Sequence, residues 1–253
     1  MNVTLLSSGS AGPAQSPTIN LSPVSGQTLL IFVVGPVTLA VGGGSTTGWV
    51  RDFYKVNNIG FAIFRLPAAD NSGGAISLQV TTNGPRNLAY IAIQGNVGSP
   101  VYGNFGRSVD GWTVENNILS GSTAIGTDIH TFAQARHTFA VFPLAGIHVN
   151  DVNLDITSYD QGYTELGDSG ITPVDPNEES RVWLAYRANM SMVANGVNGT
   201  FNQPIVETTF GWCGMATYAV DYPITIRNSN GDELTPYLKT AGSAVLVRPQ
   251  IEP

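Results

Sequence analysis

The second half of this chain carries a faint copy of strand-like segments from the first half, in the same order. The matched segments are residues 28–33 (TLLIFV) with 138–143 (TFAVFP), 48–50 (GWV) with 162–164 (GYT), 61–66 (FAIFRL) with 183–188 (WLAYRA), and 89–93 (AYIAI) with 216–220 (ATYAV). The offset grows along the chain, from 110 to 114, 122 and 127 residues, as expected if strands were kept while loops lengthened. The sequence therefore predicts two pseudo-repeats, at about residues 27–95 and 137–221.

The local pattern predicts strands throughout. Short β-branched and aromatic runs alternate with clusters of Gly, Pro, Asn, Asp and Ser, which is typical of strands and turns. Each repeat offers about five strands, and a lone sheet of that size would leave one apolar face in water. We therefore predict an all-β protein in which residues 1–221 form a single large antiparallel two-sheet sandwich, with jelly-roll or concanavalin-like connectivity. Two separate small sandwiches are the alternative.

The last segment of the chain has no counterpart in the first half. Its apolar runs, residues 224–227 (ITIR) and 244–247 (AVLV), lie on either side of a turn-rich stretch. We predict that residues 222–253 form a C-terminal arm or a β-ribbon.

Composition limits the partners. Charged residues make up only 11% of the chain, against roughly a quarter in an ordinary soluble domain. A surface of Ser, Thr, Asn, Gln and Gly costs less to desolvate than one of Lys and Glu, so it suits packing against other protein. A Thr/Asn-rich extracellular β-domain is the alternative. The net charge is −7 and no run of Lys or Arg occurs, so we expect no direct contact with nucleic acid.

The single cysteine and the N-terminus give further expectations. Cys213 lies in an apolar stretch (FGWCGM) and is predicted to be a buried structural thiol. The N-terminal residues lack the charged and apolar regions of a signal peptide. The longest apolar stretch, residues 29–41, is interrupted by Gly, Pro and Thr and is too short to cross a bilayer. We expect no membrane insertion.

Candidate metal ligands are sparse. His130, His137 and His148 are 7 and 11 residues apart, whereas metal-binding pairs typically lie about two to five apart. The loop at residues 150–155 (NDVNLD) is rich in oxygen ligands, which makes Asp151 and Asp155 weak candidates for calcium. An ordinary turn has the same composition, and we predict neither a bound metal nor a cofactor.

No catalytic motif is visible. The sequence contains no G-x-S-x-G, no H-E-x-x-H and no Gly-rich phosphate loop after a strand. Asp168, Glu178 and Glu179 are carboxylates of the kind that glycoside hydrolases use. Glu178 and Glu179 lie in a polar loop rather than alternating along a strand, so we predict no catalytic residue.

Aromatic residues are the candidates for binding. Aromatics exposed on a β-sandwich can stack on sugar rings. Trp112, outside the repeats, is the best candidate for an exposed contact, and Tyr159 and Tyr163 are lesser ones. Trp49 and Trp183 each match an aromatic residue in the other repeat, which favours a role in core packing.

The order of the repeated blocks resembles that of β-sandwich proteins of tailed bacteriophages, which are often labelled minor tail or virion structural proteins. The blocks are LLIFV, GW, FAIFR and AYIAI, followed by GYTEL and WLAYRA. The resemblance covers roughly residues 27–220 and rests on strand patterns, so it transfers no functional residue.

The resemblance implies a non-enzymatic virion component, made in the host cytoplasm, that assembles with other virion proteins and with copies of itself. A minor tail protein that contacts the host surface, with cell-surface glycan as a further partner, is the leading expectation. A capsid decoration protein is the alternative within that class. A carbohydrate-binding lectin or a glycoside hydrolase of concanavalin-like fold is the alternative from another class.

Overall fold

In the computed structural model the chain divides into two compact units, Met1–Asp221 and Tyr222–Pro253. The residues that the structure describes are 3–11, 18–35, 39–42, 47–56, 60–82, 88–100, 109–113, 120–126, 136–147, 149–151, 153–169, 179–190, 197–211, 213–220, 226–227 and 233–234. Within these residues the secondary structure is β-strand, apart from one 3₁₀ turn at Val149–Asp151. The all-β prediction is confirmed.

The first eight strands of the larger unit form two antiparallel sheets. They are β1 (Thr4–Ala11), β2 (Thr18–Leu21), β3 (Thr28–Gly35), β4 (Leu39–Gly42), β5 (Val50–Val56), β6 (Gly60–Leu66), β7 (Ile76–Thr82) and β8 (Leu88–Gly95). The first inner sheet has the order β1-β8-β3-β6-β5, and the first outer sheet has the order β2-β7-β4. Successive strands therefore alternate between two sheets, except for β5 and β6, which pair with each other.

The later strands of this unit form two more antiparallel sheets. They are β9 (Val97–Pro100), β10 (Val109–Thr113), β11 (Ala124–Gly126), β12 (Arg136–Ile147), β13 (Ile156–Tyr159), β14 (Thr164–Asp168), β15 (Glu179–Met190), β16 (Asn198–Phe201), β17 (Phe210–Gly211) and β18 (Cys213–Val220). The second inner sheet follows β10-β18-β12-β15-β14, with β9 also paired to β18 and β17 to β12. The second outer sheet is β11-β16-β13.

Three apolar cores separate these four sheets. The central core lies between the two inner sheets and contains Leu30, Phe32, Val34, Phe61, Ile63, Ile91, Phe139, Val141, Val182, Leu184 and Tyr218. The opposite face of the first inner sheet packs on the first outer sheet through Leu29, Ile31, Val33, Phe64, Ile19 and Leu78. The opposite face of the second inner sheet packs on the second outer sheet through Phe142, Leu144, Trp183, Met215, Ile156 and Phe201. The unit is thus a stack of four β layers.

Burial explains the two kinds of strand sequence. All eight residues of β3 are buried, so its run TLLIFVV is almost continuously apolar, as a strand covered on both faces requires. In contrast, β2 (TINL) and β16 (NGTF) alternate between exposed and buried residues, because only one face of an outer sheet meets a core. Continuous runs therefore mark inner strands, and alternating runs mark outer ones.

The two inner sheets are packed differently at their two ends. Strands β1 and β8 lie over β14 and β15, and a Cβ at Gly167 would be only 3.1 Å from Leu5. In the middle of the interface, the rings of Phe32 and Phe139 are 5.7 Å apart. Beyond them, Phe53 packs on Phe61 at 5.9 Å on the β5 and β6 side. Gly167 thus lets Leu5 approach at the β1 and β14 side, and aromatic rings pack in the middle and on the β5 and β6 side.

The structure differs from the predicted sandwich in the number of sheets. The sequence predicts two sheets in residues 1–221, whereas the described residues form four there. The reason is that each inner sheet is apolar on both faces, so each needs a second cover in addition to the other inner sheet. Short strands such as β2 and β16 supply that cover.

In two of the matched pairs of segments, the matched aromatic residues lie in different cores. Phe32 lies in the central core, but its sequence match, Phe142, lies in the core under the second outer sheet. Phe61 and Trp183 differ in the same way. Matching a strand one residue out of step moves every side chain to the other face. Strands buried on both faces have no alternation that would reveal the slip.

The smaller unit is described at four residues. Strand β19 (Ile226–Arg227) pairs antiparallel with β20 (Glu233–Leu234), and Ile226 lies opposite Leu234. The turn-rich stretch in the sequence lies between these two strands.

Gly48 is needed for the turn that leads into β5. Its φ is +86°, and a Cβ there would lie 2.7 Å from the Cβ of Asp70. We predict that Gly48→Ala lowers the free energy of unfolding by about 2–3 kcal/mol, because the left-handed backbone strain adds to a steric clash. Gly74 is the matched control, since its φ is +82° and no atom lies within 4 Å of an added Cβ. Gly74→Ala should cost only the strain, about 1–2 kcal/mol. If urea unfolding showed equal losses of unfolding free energy for the two variants, the clash between the added Cβ and Asp70 would make no contribution.

Candidate functional site

One cluster of charged and aromatic side chains lies beside the core between the second inner and outer sheets. We call it the arginine cluster, and its members are Asp155, Tyr159, Glu165, Asp168, Arg181 and Trp183. Arg181 and Trp183 project from the same face of β15, because residues two apart in a strand share a face. Asp168 lies opposite Trp183 on the neighbouring β14. The remaining aspartate comes from the segment just before β13.

Arg181 is the centre of the cluster. It is only 7% exposed, and its Nη2 donates to Asp168 Oδ2 at 2.5 Å and lies 3.5 Å from Asp155 Oδ1. Its Nη1 donates to the carbonyl of Leu154. The guanidinium carbon lies 4.5 Å from the centroid of the Trp183 ring, within the range of a cation–π contact.

Trp183 completes the connection between layers. Its ring is fully buried, and its Nε1 donates to Asp155 Oδ1 at 2.8 Å. Arg181 and Trp183, on an inner strand, therefore hold the chain just before β13, an outer strand. A buried guanidinium needs partners for its donors. The cluster supplies two carboxylates and one carbonyl to the two Nη atoms and a ring to the guanidinium face, while Nε is buried with no hydrogen-bond partner among the described residues.

Burial and the neighbouring carboxylates both raise pKa values in the cluster. Burial raises the pKa of Glu165, and the negative charges of Asp168 and Asp155 raise it further, while Arg181 opposes the shift. Burial also raises the pKa of Tyr159, as do the same three acids. The Tyr159 hydroxyl is buried with no hydrogen-bond partner among the described residues. The cluster thus contains three acidic side chains and one basic one.

The contacts of the cluster favour a structural role. A glycoside hydrolase needs a protonated and an ionised carboxyl on either side of a sugar, and Glu165 lies near Asp168 and Asp155. Yet Asp155 and Asp168 both contact the guanidinium of Arg181. Trp183 offers no exposed ring face on which a sugar could stack. The cluster therefore joins two layers through contacts internal to the protein.

A second ion pair lies on the β5 and β6 side of the central core. Arg65 on β6 donates from Nε and Nη2 to the two oxygens of Asp52 at 2.8 and 3.2 Å. The Asp52 side chain is 1% exposed. Burial raises the pKa of Asp52, while Arg65 and the nearby hydroxyl of Tyr218 oppose that shift. Asp52 is on β5, so this ion pair joins two neighbouring strands of the first inner sheet, on the side that faces Tyr218 of β18.

His137 holds the point where the chain passes from one inner sheet to the other. Its ring is fully buried, with Nε2 at 3.2 Å from the Asn96 carbonyl and Nδ1 at 2.8 Å from the Tyr186 hydroxyl. A carbonyl can only accept, so in the neutral ring the proton lies on Nε2 and Nδ1 accepts from the Tyr186 hydroxyl. Thr28 donates to the next carbonyl, that of Val97, at 2.5 Å. The connection at Asn96 and Val97 is thus held from both inner sheets.

The structure gives the two calcium candidates separate partners. Asp151 is fully buried and accepts the backbone N–H groups of Val206 and Glu207 at 2.8 and 3.0 Å. Asp155 is engaged by Trp183 and Arg181. In the described part of the chain, no group of three or more His, Cys, Asp or Glu residues could hold a metal ion.

The aromatic candidates are distributed over different environments. Tyr159 is partly buried and packs on Phe142, with ring centroids 5.6 Å apart. Tyr163 is only 5% exposed, and its hydroxyl donates to Met215 Sδ at 3.3 Å, so its ring is not available for stacking on a ligand. Trp112 belongs to β10, but its side chain lies outside the described residues, and so do His130, His148 and Glu178.

Two expectations about packing are confirmed. Cys213 is buried and contacts the carbonyl of Gly126. Trp183 is fully buried, and Trp49 packs against the core under the first outer sheet.

The sequence alone did not point to Arg181, Glu165 or the pair of Asp52 and Arg65. The one available signal is a charged residue within a run that is otherwise apolar, as in RVWLAYR and FAIFRL. Such a residue must find a partner when its strand is buried. The sequence does not say which acid that partner is, because the acids come from neighbouring strands.

Comparison with protein-family models found no match, and comparisons with curated proteins and with solved structures found no significant match. Among the described residues, no helix is long and apolar enough to cross a membrane.

The arginine cluster makes a testable contribution to stability. We predict that Arg181→Leu lowers the free energy of unfolding by about 2 kcal/mol, because it removes one partner of a buried ion pair whose acids remain partly solvated. Arg187 on the same strand is the matched control, since its Nη1 donates only to the exposed carbonyl of Gln161 among the contacts seen. Arg187→Leu should cost less than about 0.5 kcal/mol in urea unfolding. A similar loss for both variants would contradict a special role for Arg181.

Tyr163 should give the protein a stability that is lost at alkaline pH. Burial raises its pKa to about 12 from the ordinary value of 10.0. Because the folded-state pKa lies above the unfolded one, this stabilisation is complete below pH 10 and is lost as the pH rises through about 12. We expect Tyr163→Phe to show a smaller fall in the free energy of unfolding over that interval, by about 2 kcal/mol. The formation of tyrosinate, followed by absorbance in the wild type and in Tyr163→Phe, would check that the raised pKa belongs to Tyr163. If the variant instead lost a tyrosine that titrates near pH 10, the prediction would be wrong.

Proposed function

We propose that this chain is a non-enzymatic structural protein of a bacteriophage particle, a minor tail protein that assembles with other virion proteins and with copies of itself. We also propose that residues 1–221 are a duplication of one eight-stranded unit with jelly-roll-like connectivity. The four-layer stack, in which two β units cover each other, supports the duplication. The strand-pattern resemblance and the low content of charged residues support the virion role.

The order of strands supports the duplication. In the first half β1 pairs with β8, β2 with β7 and β3 with β6, as in a long hairpin rolled into two layers. In the second half β10 pairs with β18, β11 with β16 and β12 with β15. Leaving out β9 and β17, each strand has a counterpart at the same place in its sheet. Nested pairs of this kind, with strands alternating between layers, are the connectivity of a jelly roll.

Local geometry supports the duplication as well. Gly48 and Gly162 both have a positive φ, and the strands that follow, β5 and β14, both begin two residues later. Each strand then has a bulge at its third residue, Asp52 in β5 and Leu166 in β14. Bulges re-aim a strand and are kept as features of a fold.

The ladders suggest a residue matching that differs slightly from the sequence match. Val50 pairs with Arg65, and Thr164 pairs with Tyr186. If Val50 corresponds to Thr164, then Arg65 corresponds to Tyr186 and not to Arg187. With this shift of one residue, Phe61 and Val182 both lie in the central core.

The surface properties favour an assembly role. Charged residues are few, which lowers the cost of desolvating a contact with another protein. Strands β1, β5, β10 and β14 are the ends of the inner sheets, and each contains an irregularity in its pairing. Bulged edges discourage strand addition. We therefore propose that assembly uses the outer faces rather than the sheet edges.

The proposal includes contact with the host surface, with cell-surface glycan as a partner and Trp112 as its first candidate residue. A capsid decoration role would use the same architecture. A concanavalin-like lectin or glycoside hydrolase is the alternative from another class, and the raised pKa of Glu165 beside Asp155 and Asp168 is the observation that favours it.

The test is co-purification with particles. A host producing particles that encode this chain is lysed, and the particles are separated on a density gradient. We expect the chain to band with intact particles and to appear on tails rather than on tail-less heads when detected by a specific antibody. Its presence on heads alone would replace the tail assignment with capsid decoration. Its absence from purified particles would refute the virion proposal.

The enzymatic alternative is tested separately with Glu165→Gln. The purified chain is incubated with host cell-wall glycan, and released sugars are measured. We expect no release by either protein. Release by the wild type that is abolished in the variant would establish a glycoside hydrolase.

A further inference from the structure

The first outer sheet lies in a part of the chain that contains no charged residue. Residues 1–50 and 71–85 include β1 to β4 and β7, and they contain no Asp, Glu, Lys or Arg. These segments include all three strands of the first outer sheet and the sequence that follows each of them. The first outer sheet is therefore a layer whose strands contain no charged residue, although the chain carries charged residues elsewhere.

The outward face of this sheet is polar and exposed. Thr18 and Asn20 project outward from β2, and Ser77 and Gln79 from β7, between buried neighbours. We call these four residues the neutral face. Ser77 Oγ lies 2.9 Å from Asn20 Oδ1, a hydrogen bond between neighbouring strands. Hydroxyl and amide groups hydrogen-bond across a contact at a lower desolvation cost than charged groups.

The acidic residues are concentrated in the other half. Residues 1–106 contain 4 basic and 2 acidic residues, whereas residues 107–221 contain 4 basic and 13 acidic ones. Several of these acids lie around the second outer sheet, among them Asp155, Asp160 and Glu165. Two copies that met through their second halves would bring like charges together.

We propose that the neutral face binds the neutral face of a second copy of this chain in a two-fold symmetric contact. The inference rests on the proposed assembly function and names the surface that carries it. In this arrangement the layers are stacked so that the two acidic halves lie at opposite ends. A symmetric contact places the same patch on both partners.

The distances make this arrangement electrostatically acceptable. Packed sheets lie about 10 Å apart, so the second outer sheet is separated from the neutral face by about 30 Å. Charges are screened over about 8 Å at physiological ionic strength. Repulsion between the acidic halves therefore contributes little to this contact, whereas it opposes a contact through the second outer sheets.

The test places a charge on the middle strand of each outer sheet in the full-length chain. Gln79→Lys adds a charge to the neutral face, and Thr200→Lys adds one at an exposed position on β16 in the second outer sheet. Sedimentation velocity over a range of concentrations measures self-association, and circular dichroism checks folding. We expect the wild type and Thr200→Lys to associate alike, and Gln79→Lys to associate about 100-fold more weakly, because two like charges meet at the contact.

A charge-pair rescue distinguishes a direct contact from a folding defect. Gln79→Glu alone should also associate weakly, and an equimolar mixture with Gln79→Lys should recover association, because opposite charges then face each other. A monomeric wild type at all concentrations would overturn the proposal. So would unchanged association of Gln79→Lys, or equal loss in both lysine variants. In these cases, particles that still contain the chain would leave the proposed function in place, and only this surface assignment would fail.

Discussion

The architecture depends on the burial of both faces of the two inner sheets. A sheet that is apolar on one face needs one cover, whereas these sheets are apolar on both faces and need two. Each inner sheet therefore has the other inner sheet on one side and a short outer sheet on the other. The four-layer stack follows from this requirement, because apolar area removed from water is the main favourable contribution to folding.

Burial on both faces also determines how the interior polar groups are arranged. A charged group in such a core is costly unless it is paired. Arg65 meets Asp52 at one end of the central core, and Arg181 meets two aspartates beside the second outer sheet. His137 uses both ring nitrogens where the chain crosses between sheets. These contacts all join neighbouring strands or layers, so the polar groups fix how the sheets are placed on one another.

The two halves of the larger unit differ in their content of acidic residues. Each half contributes an inner and an outer antiparallel sheet, but the acids lie mainly in the second half and the charge-free segments in the first. The two outer sheets therefore present chemically different outward faces. This difference is the basis for proposing the neutral face as the contact with a second copy, because desolvation costs less on that face and like charges oppose contact on the other.

The sequence by itself determined the class of the fold, since β-branched runs separated by turn residues predict strands without reference to the rest of the chain. It also indicated that Cys213 and Trp183 are buried, because each lies in an apolar run. It did not determine the number of layers, since the run in β3 is equally consistent with several covers on either face. Nor did it reveal that Arg181 meets Asp168 and Asp155, which are 13 and 26 residues away along the chain. Only the pairing of strands and the stacking of sheets decided these features. Local sequence patterns do not specify which residues become neighbours across strands and layers.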